Sequence, residues 1–196
     1  MRYTDDVVIE KATGLFWQKG YLAVGMRELQ TALDMRPGSI YNRFKSKDGL
    51  FCKVICAYVE QNEKDLLHVA QSPSPLDALR DYFLTTLITP ANQTHQRQCL
   101  LIKTLAEIDS LHDDSRLTLS QGMETLNQAF VKVVEQLIAS HSIAKDEESE
   151  KIASWLQCQF IGLRTFALIT HDDEKIRTLI EKTLVDLQGN WPVTTH

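Results

Sequence analysis

A chain of 196 residues, 43% apolar and 24% charged, is long enough to bury a sizeable core and has neither a disordered nor a fibrous composition. A net charge of −5 argues against a general polyanion binder. Four cysteines without scaffold-like spacing (Cys52, Cys56, Cys99, Cys158) argue against a disulfide framework and point to a reducing cytoplasm.

The start, Met1-Arg2-Tyr3-Thr4-Asp5-Asp6, is charged and without an apolar run, so no signal peptide is expected. A first helix is predicted from about Asp5 to Lys19, with Val8, Ala12, Leu15 and Phe16 on one face and Gly20 as its stop. A second spans roughly Gly25 to Ala32 and a third roughly Pro37 to Phe44. Tyr21, Met26, Leu29, Leu33, Ile40 and Phe44 close their small core. Ser46 is placed to cap a long fourth helix, Lys47 to Ala70. Ser72-Pro73-Ser74-Pro75 breaks the chain. A helix from Leu76 to about Ile88, a polar loop (Thr89 to His95), a helix from Cys99 to Ile108 and a turn from Ser110 to Asp114 follow. A long helix runs from about Ser115 to Ser140. Asp146-Glu147-Glu148 and Asp172-Asp173-Glu174 open the last two helices, and the tail from Gly189 reads as frayed. The whole is an all-α protein of about nine helices.

The stretch from Gly20 to Phe51 is the most informative. It reads as helix, tight turn, helix, with four basic residues (Arg36, Arg43, Lys45, Lys47) and no acidic one between Arg36 and Lys47. A short helix with small or polar residues at its start and cations at its end suits the DNA major groove. Its first turn meets base edges and the cations hold phosphates. Charge is distributed accordingly: residues 1–50 carry 8 Lys/Arg against 6 Asp/Glu, whereas the remainder is acidic. The plain alternative is a solvated helical hairpin, which the helix-turn-helix spacing disfavours.

Gly20-Tyr21, Met26-Arg27-Glu28-Leu29, Gly38-Ser39-Ile40-Tyr41, Phe44 and Ser46-Lys47-Asp48 resemble the N-terminal pattern of TetR-type transcriptional regulators. Three positions depart from that pattern. Gly25 stands where Ser or Thr is usual, Asp34 where the turn usually has Gly, and Arg36-Pro37 where Ser-Lys is usual. Asp tolerates a left-handed turn, and Pro suits the first helical position. The resemblance implies a three-helix DNA-binding unit over 1–46 and a helical ligand-binding and dimerisation domain over 47–196. It implies DNA contacts from Arg27, Arg36, Pro37, Gly38, Ser39, Tyr41, Asn42, Arg43, Lys45 and Lys47.

The eighth helix, Ile152 to Ile169, is apolar nearly all round, yet Gln157, Gln159 and Arg164 make it a poor membrane span. A second subunit is the natural cover, with Trp155, Phe160, Gly162, Leu163 and Phe166 as interface residues and Gly162 marking a close backbone approach. A ligand pocket between helices would draw on Phe83, Cys99, Lys103, Met123, Phe130, Trp155 and Gln159, though such side chains also serve as plain core.

Cys99 opens a predicted helix, where unpaired N–H groups favour a thiolate. Arg97 beside it and Lys103 at i+4 add positive charge. The segment is similar to that of the NemR-like, electrophile-sensing members of the family, and the alternative is a buried small residue. Cys52 and Cys56, four apart on one helix face, read as buried packing. The six histidines form no ligand pattern, so neither a metal nor a cofactor is expected.

Two functions compete. One is a homodimeric repressor on a palindromic DNA operator, released by a small-molecule effector or by modification of a cysteine. The other is a thiol-dependent enzyme acting on electrophiles through Cys99. No phosphate loop, triad order or carboxylate pair supports catalysis, and the reading adopted is that of a DNA-binding protein, not an enzyme.

Overall fold

A computed structural model describes residues 4–88, 98–143, 148–170 and 172–189. Among these, all regular structure is helical. The nine α-helices are α1 (Asp5–Lys19), α2 (Met26–Leu33), α3 (Pro37–Phe44), α4 (Lys47–Ala70), α5 (Pro75–Leu87), α6 (Leu100–Leu105), α7 (Asp113–Ala139), α8 (Ser149–Thr170) and α9 (Asp173–Gln188). The polar loop, Arg97, Asp146, Glu147, His171 and the tail beyond Gly189 lie outside the described residues.

The helix ends follow local chemistry. Gly20 takes a positive φ of 88° and returns its N–H to the carbonyl of Phe16. Ser46 caps α4 by accepting the Gly49 N–H at 2.9 Å. Asp172 caps α9 by accepting the Lys175 N–H at 3.0 Å. Pro75 occupies the first turn of α5, one residue earlier than expected. The sixth helix is shorter than expected. The Thr104 hydroxyl bonds the Leu100 carbonyl at 2.8 Å, Glu107 leaves the helical region, and a 3-10 turn follows at Ile108–Ser110. The seventh begins at Asp113 rather than Ser115, which turns Ser115 fully inward.

The chain divides into two compact units. The first comprises residues 1–61 and 98–124 and so takes in α1 to α3, most of α4, α6 and the start of α7. Its core holds Val8, Ala12, Phe16, Val24, Leu29, Leu33, Ile40, Leu50, Phe51, Val54 and Ile55. Phe16, Tyr21 and Phe51 pack ring against ring, with Phe51 within 5 Å of both others. Gly122 lets α7 lie close on α4, since a Cβ there would sit 2.7 Å from Val59 Cγ2.

The second unit comprises residues 62–97 and 125–196. Its apolar core joins Leu79, Phe83 and Leu87 of α5, Phe130, Val133, Val134 and Leu137 of α7, Ala153, Leu156 and Phe160 of α8, and Ile176, Ile180 and Leu184 of α9. Polar bonds tie its rim: Arg80 Nε donates to Glu181 Oε1 at 2.9 Å, and Asn127 Nδ2 to Gln157 Oε1 at 2.8 Å.

Two expectations are corrected here. Phe160 and Leu163, placed at a dimer interface from sequence, are buried in the second unit's own core. At 100° per residue they share the inner face of α8 with Ala153, Leu156 and Ala167, and Gly162 points the other way. A helix apolar all round does not reveal which of its faces turns inward. Cys56, expected to be buried, is exposed, and Cys52 is half-buried.

Candidate nucleic-acid interface

The reader is built from α1, α2 and α3. Leu29 and Leu33 of α2 and Ile40 and Phe44 of α3 turn inward, so each short helix keeps one polar face outward. Between them Asp34 adopts the left-handed conformation (φ 51°, ψ 46°), and its N–H closes on the carbonyls of Gln30 and Thr31. Gly25 stands at the start of α2 without a side-chain cap, a loss of only a few tenths of a kcal/mol relative to Ser. Arg36 precedes α3 with extended backbone, and Pro37 opens the helix as expected.

Of the ten residues expected at DNA, nine are exposed: Arg27, Arg36, Pro37, Gly38, Ser39, Tyr41, Asn42, Arg43 and Lys45. Tyr41 exposes 50% of its surface although it is aromatic. Arg36, Pro37, Gly38, Ser39, Tyr41 and Asn42 lie outward at the start and on the first two turns of α3. Arg43 is held by an ion pair with Asp5 of α1. Lys45 joins α3 to α4 with a φ of 68°, a region few side chains adopt, and it is exposed at the junction. Lys47 is half-buried, and its Nζ lies 4.1 Å from the centre of the Tyr21 ring. Burial lowers the Lys47 pKa below the usual lysine value, against the opposing pull of Glu107 and Asp48. The Lys47 cation is thus positioned by an aromatic face at the start of α4.

The residues expected to line a ligand pocket divide between the units. Phe83, Phe130, Trp155 and Gln159 belong to the second, and Cys99, Lys103 and Met123 to the first. Phe83 and Phe130 close on Phe160, with ring centres at 4.8 and 5.8 Å. Arg164 is buried beside them, its guanidinium 5.5 Å from the Phe160 ring, a placement not anticipated from sequence. Trp155, Met123 and Gln159 are half-buried.

Cys99 is the residue before α6, buried, with no side-chain cap bond to the helix. Its sulfur accepts from the Tyr58 hydroxyl at 3.5 Å. Lys103, expected to serve the thiol, instead donates from Nζ to the carbonyls of Trp17 and Gln18 at 2.8 and 2.9 Å. Trp17 Nε1 donates to the Gln98 carbonyl at 2.7 Å. Trp17, Tyr58, Glu107 and Ser115 make contacts across the unit that no periodicity or motif singles out.

A helix-turn-helix with a polar outward face and flanking cations is matched by the family model for bacterial regulatory proteins of the tetR family over residues 8–54. The model for a tetracyclin repressor-like C-terminal domain matches residues 75–183, more than half of the chain. The chain belongs to the TetR family. It is a transcriptional regulator with an N-terminal DNA-binding domain, not an enzyme.

Among its relatives is the HTH-type transcriptional repressor ComR of Escherichia coli, 25% identical over 91% of this chain and 86% of that protein. The E. coli repressor NemR is 23% identical over 86% and 87% of the two chains. The reduced form of NemR has the same fold, with a TM-score of 0.81 over 97% of this chain and all of that one, at 21% identity. A cysteine mutant of CifR, complexed with 26-base-pair double-strand operator DNA, superposes with a TM-score of 0.78 at 23% identity, covering 98% and 99% of the chains.

Proposed function

We propose that this TetR-family regulator is a homodimeric repressor that reads a near-palindromic operator through α3 and releases it when a small-molecule effector binds or a cysteine is modified. In this reading residues 1–46 recognise DNA, residues 47–196 sense and dimerise, and the protein acts in the cytoplasm. The observation that carries it is the outward face of α3. Ser39, Tyr41 and Asn42 stand exposed on a rigid helix whose inner face is anchored by Ile40 and Phe44, with Arg36, Lys45 and Lys47 flanking them.

The dimer is supported by the outward side of α8. Trp155, Cys158, Gly162, Thr165, Phe166 and Ile169 fall on it, and Ile169 is 72% exposed. Gly162 has open space where a Cβ would stand, which suits a close approach of a second backbone. On α9, Val185 is 61% exposed. Two readers would then address half-sites one helical turn, ~34 Å, or a multiple apart. Operator-bound CifR, similar in fold, lends support to the operator reading.

The test is to select duplexes from a randomised pool with the purified protein, footprint the enriched sequence and weigh the complex by sedimentation. The expected result is a protected inverted repeat bound by two chains. A monomer at micromolar concentration, with and without the DNA, would overturn the dimer, and no enriched sequence would overturn the operator.

A further inference from the structure

Residues 98–115 follow the long stretch from α4 to the polar loop, yet they belong to the same compact unit as the reader. Two of their contacts within it bear on the reader. The first is the corner between α1 and α2. Lys103 and Glu107, four residues apart, work on this corner with opposite charges. The Lys103 ammonium forks onto the carbonyls of Trp17 and Gln18 at 2.8 and 2.9 Å. These lie in the last turn of α1, where carbonyls run out of intrahelical donors and the helix dipole is negative, so a cation is the fitting partner. Glu107 Oε2 accepts the N–H of Leu22 at 3.1 Å, just past the corner.

The corner residue Gly20 records this contact. Its φ of 88° already disfavours a side chain, and an added Cβ would collide with Glu107 Oε1. The positive φ is what calls for glycine here, and the missing side chain leaves room for the Glu107 carboxylate. The indole of Trp17 extends the same contact to the Gln98 carbonyl at 2.7 Å.

The second place is the first turn of α4. The fully buried Ser115 donates from Oγ to Asp48 Oδ1 at 2.5 Å, and the Tyr21 hydroxyl reaches the same oxygen at 3.5 Å. The chain between these two anchor points, from Leu22 to Lys47, contains α2 and α3. Both ends of the reading segment are thus held by one stretch, 98–115.

We propose that Lys103 and Glu107 are positioning residues for DNA recognition: by clamping the α1–α2 corner to α6 they set the direction in which α2 and α3 face the operator. A displacement of α6 along α1 would pull on this corner through bonds whose reader-side atoms all belong to the backbone. Lys103 is already committed to carbonyls, so its effect on DNA is geometric and not that of a phosphate ligand. This proposal rests on the operator reading above, and the experiment separates the two.

Lys103→Met, Glu107→Gln and Lys103→Arg are prepared beside the wild type. Affinity is measured on the operator selected by the wild type and on versions with one base pair added to or removed from the spacer. Amide hydrogen exchange is followed in the free proteins. Lys103→Met and Glu107→Gln should each lose about tenfold in affinity at the native spacing and much of the wild type's discrimination between spacings. The slope of log affinity against log salt should stay that of the wild type, since no phosphate contact is lost. Lys103→Arg should restore binding. Exchange should accelerate between Tyr21 and Phe44 and stay unchanged in α9.

A loss of the same factor on every spacing, a flattened salt slope, or exchange accelerated throughout the chain would overturn the proposal in favour of a phosphate ligand or a general stabiliser. Unchanged exchange between Tyr21 and Phe44 would overturn it as well. If the wild type selected no operator, the operator reading would fail, and the exchange measurement would still decide whether the clamp holds the reader.

Discussion

Lys47 carries its charge at a cost to the fold. Burial against the Tyr21 ring lowers its pKa, so the charged form is less favourable in the folded chain than in the unfolded one. That cost is present at neutral pH and is relieved as pH rises through the folded pKa toward the ordinary lysine value. Lys47→Met should therefore not lower the melting temperature. It should weaken DNA binding for all sequences and reduce the salt slope by about one. A lower melting temperature with the salt slope intact would show the cation serving the fold instead. Cys99 poses a different question, since its thiol is buried under Tyr58 while Cys56 and Cys158 are exposed. In a background with Ser at 52, 56 and 158, hypochlorite or an N-substituted maleimide should release the operator by a factor of about 10²–10³ when Cys99 is present. The additional change Cys99→Ser should abolish that release. Equal release with and without Cys99 would remove the thiol from the switch.

At the scale of the element, α8 has one buried and one exposed face. Its inner residues, led by Phe160 among the rings of Tyr82, Phe83 and Phe130, close the second unit's core. Phe160→Ala should cost about 3–5 kcal/mol of stability, read by denaturant unfolding. On the outer face Ile169→Glu removes no contact of that core, and its expected effect is on association: sedimentation should shift from dimer toward monomer with helix content unchanged. A dimer that survives Ile169→Glu would place the interface elsewhere. The eighth helix is also the one described helix long and apolar enough to cross a membrane by composition, with a mean hydropathy of 1.2. Its inner face packs with α5 and α9 in a folded core, which accounts for the apolar residues on that side.

For the whole molecule, a dimer ties stability to concentration. If two chains must separate on unfolding, a tenfold rise in protein concentration should raise the melting temperature by about 2–4 °C, measured by circular dichroism over a hundredfold dilution series. A midpoint independent of concentration would argue for chains that unfold singly. The charge pattern works at the same scale. The first 50 residues are net basic against an acidic remainder, a pattern that suits electrostatic steering of the reader toward DNA.

Most of the helices, and the reader above all, were legible in the amino-acid order. Periodicity set the inward faces of α1 to α4, and Ser46, Pro37 and Gly20 marked their ends, because capping and turn chemistry act over three or four residues. The exposed face of α3 was legible for the same reason: a short helix anchored by Ile40 and Phe44 leaves its remaining positions outward. Which side of α8 is core emerged from packing, since a helix apolar on every side carries no phase. Packing alone joined Lys103 and Glu107 to the α1–α2 corner, and Ser115 to Asp48, across 67 to 86 residues of chain. It also took Lys103 away from Cys99, its neighbour by helical spacing, and gave it to carbonyls of α1. Long-range pairs of this kind leave no local pattern, because each partner satisfies its own helix and meets the other only once the unit has packed.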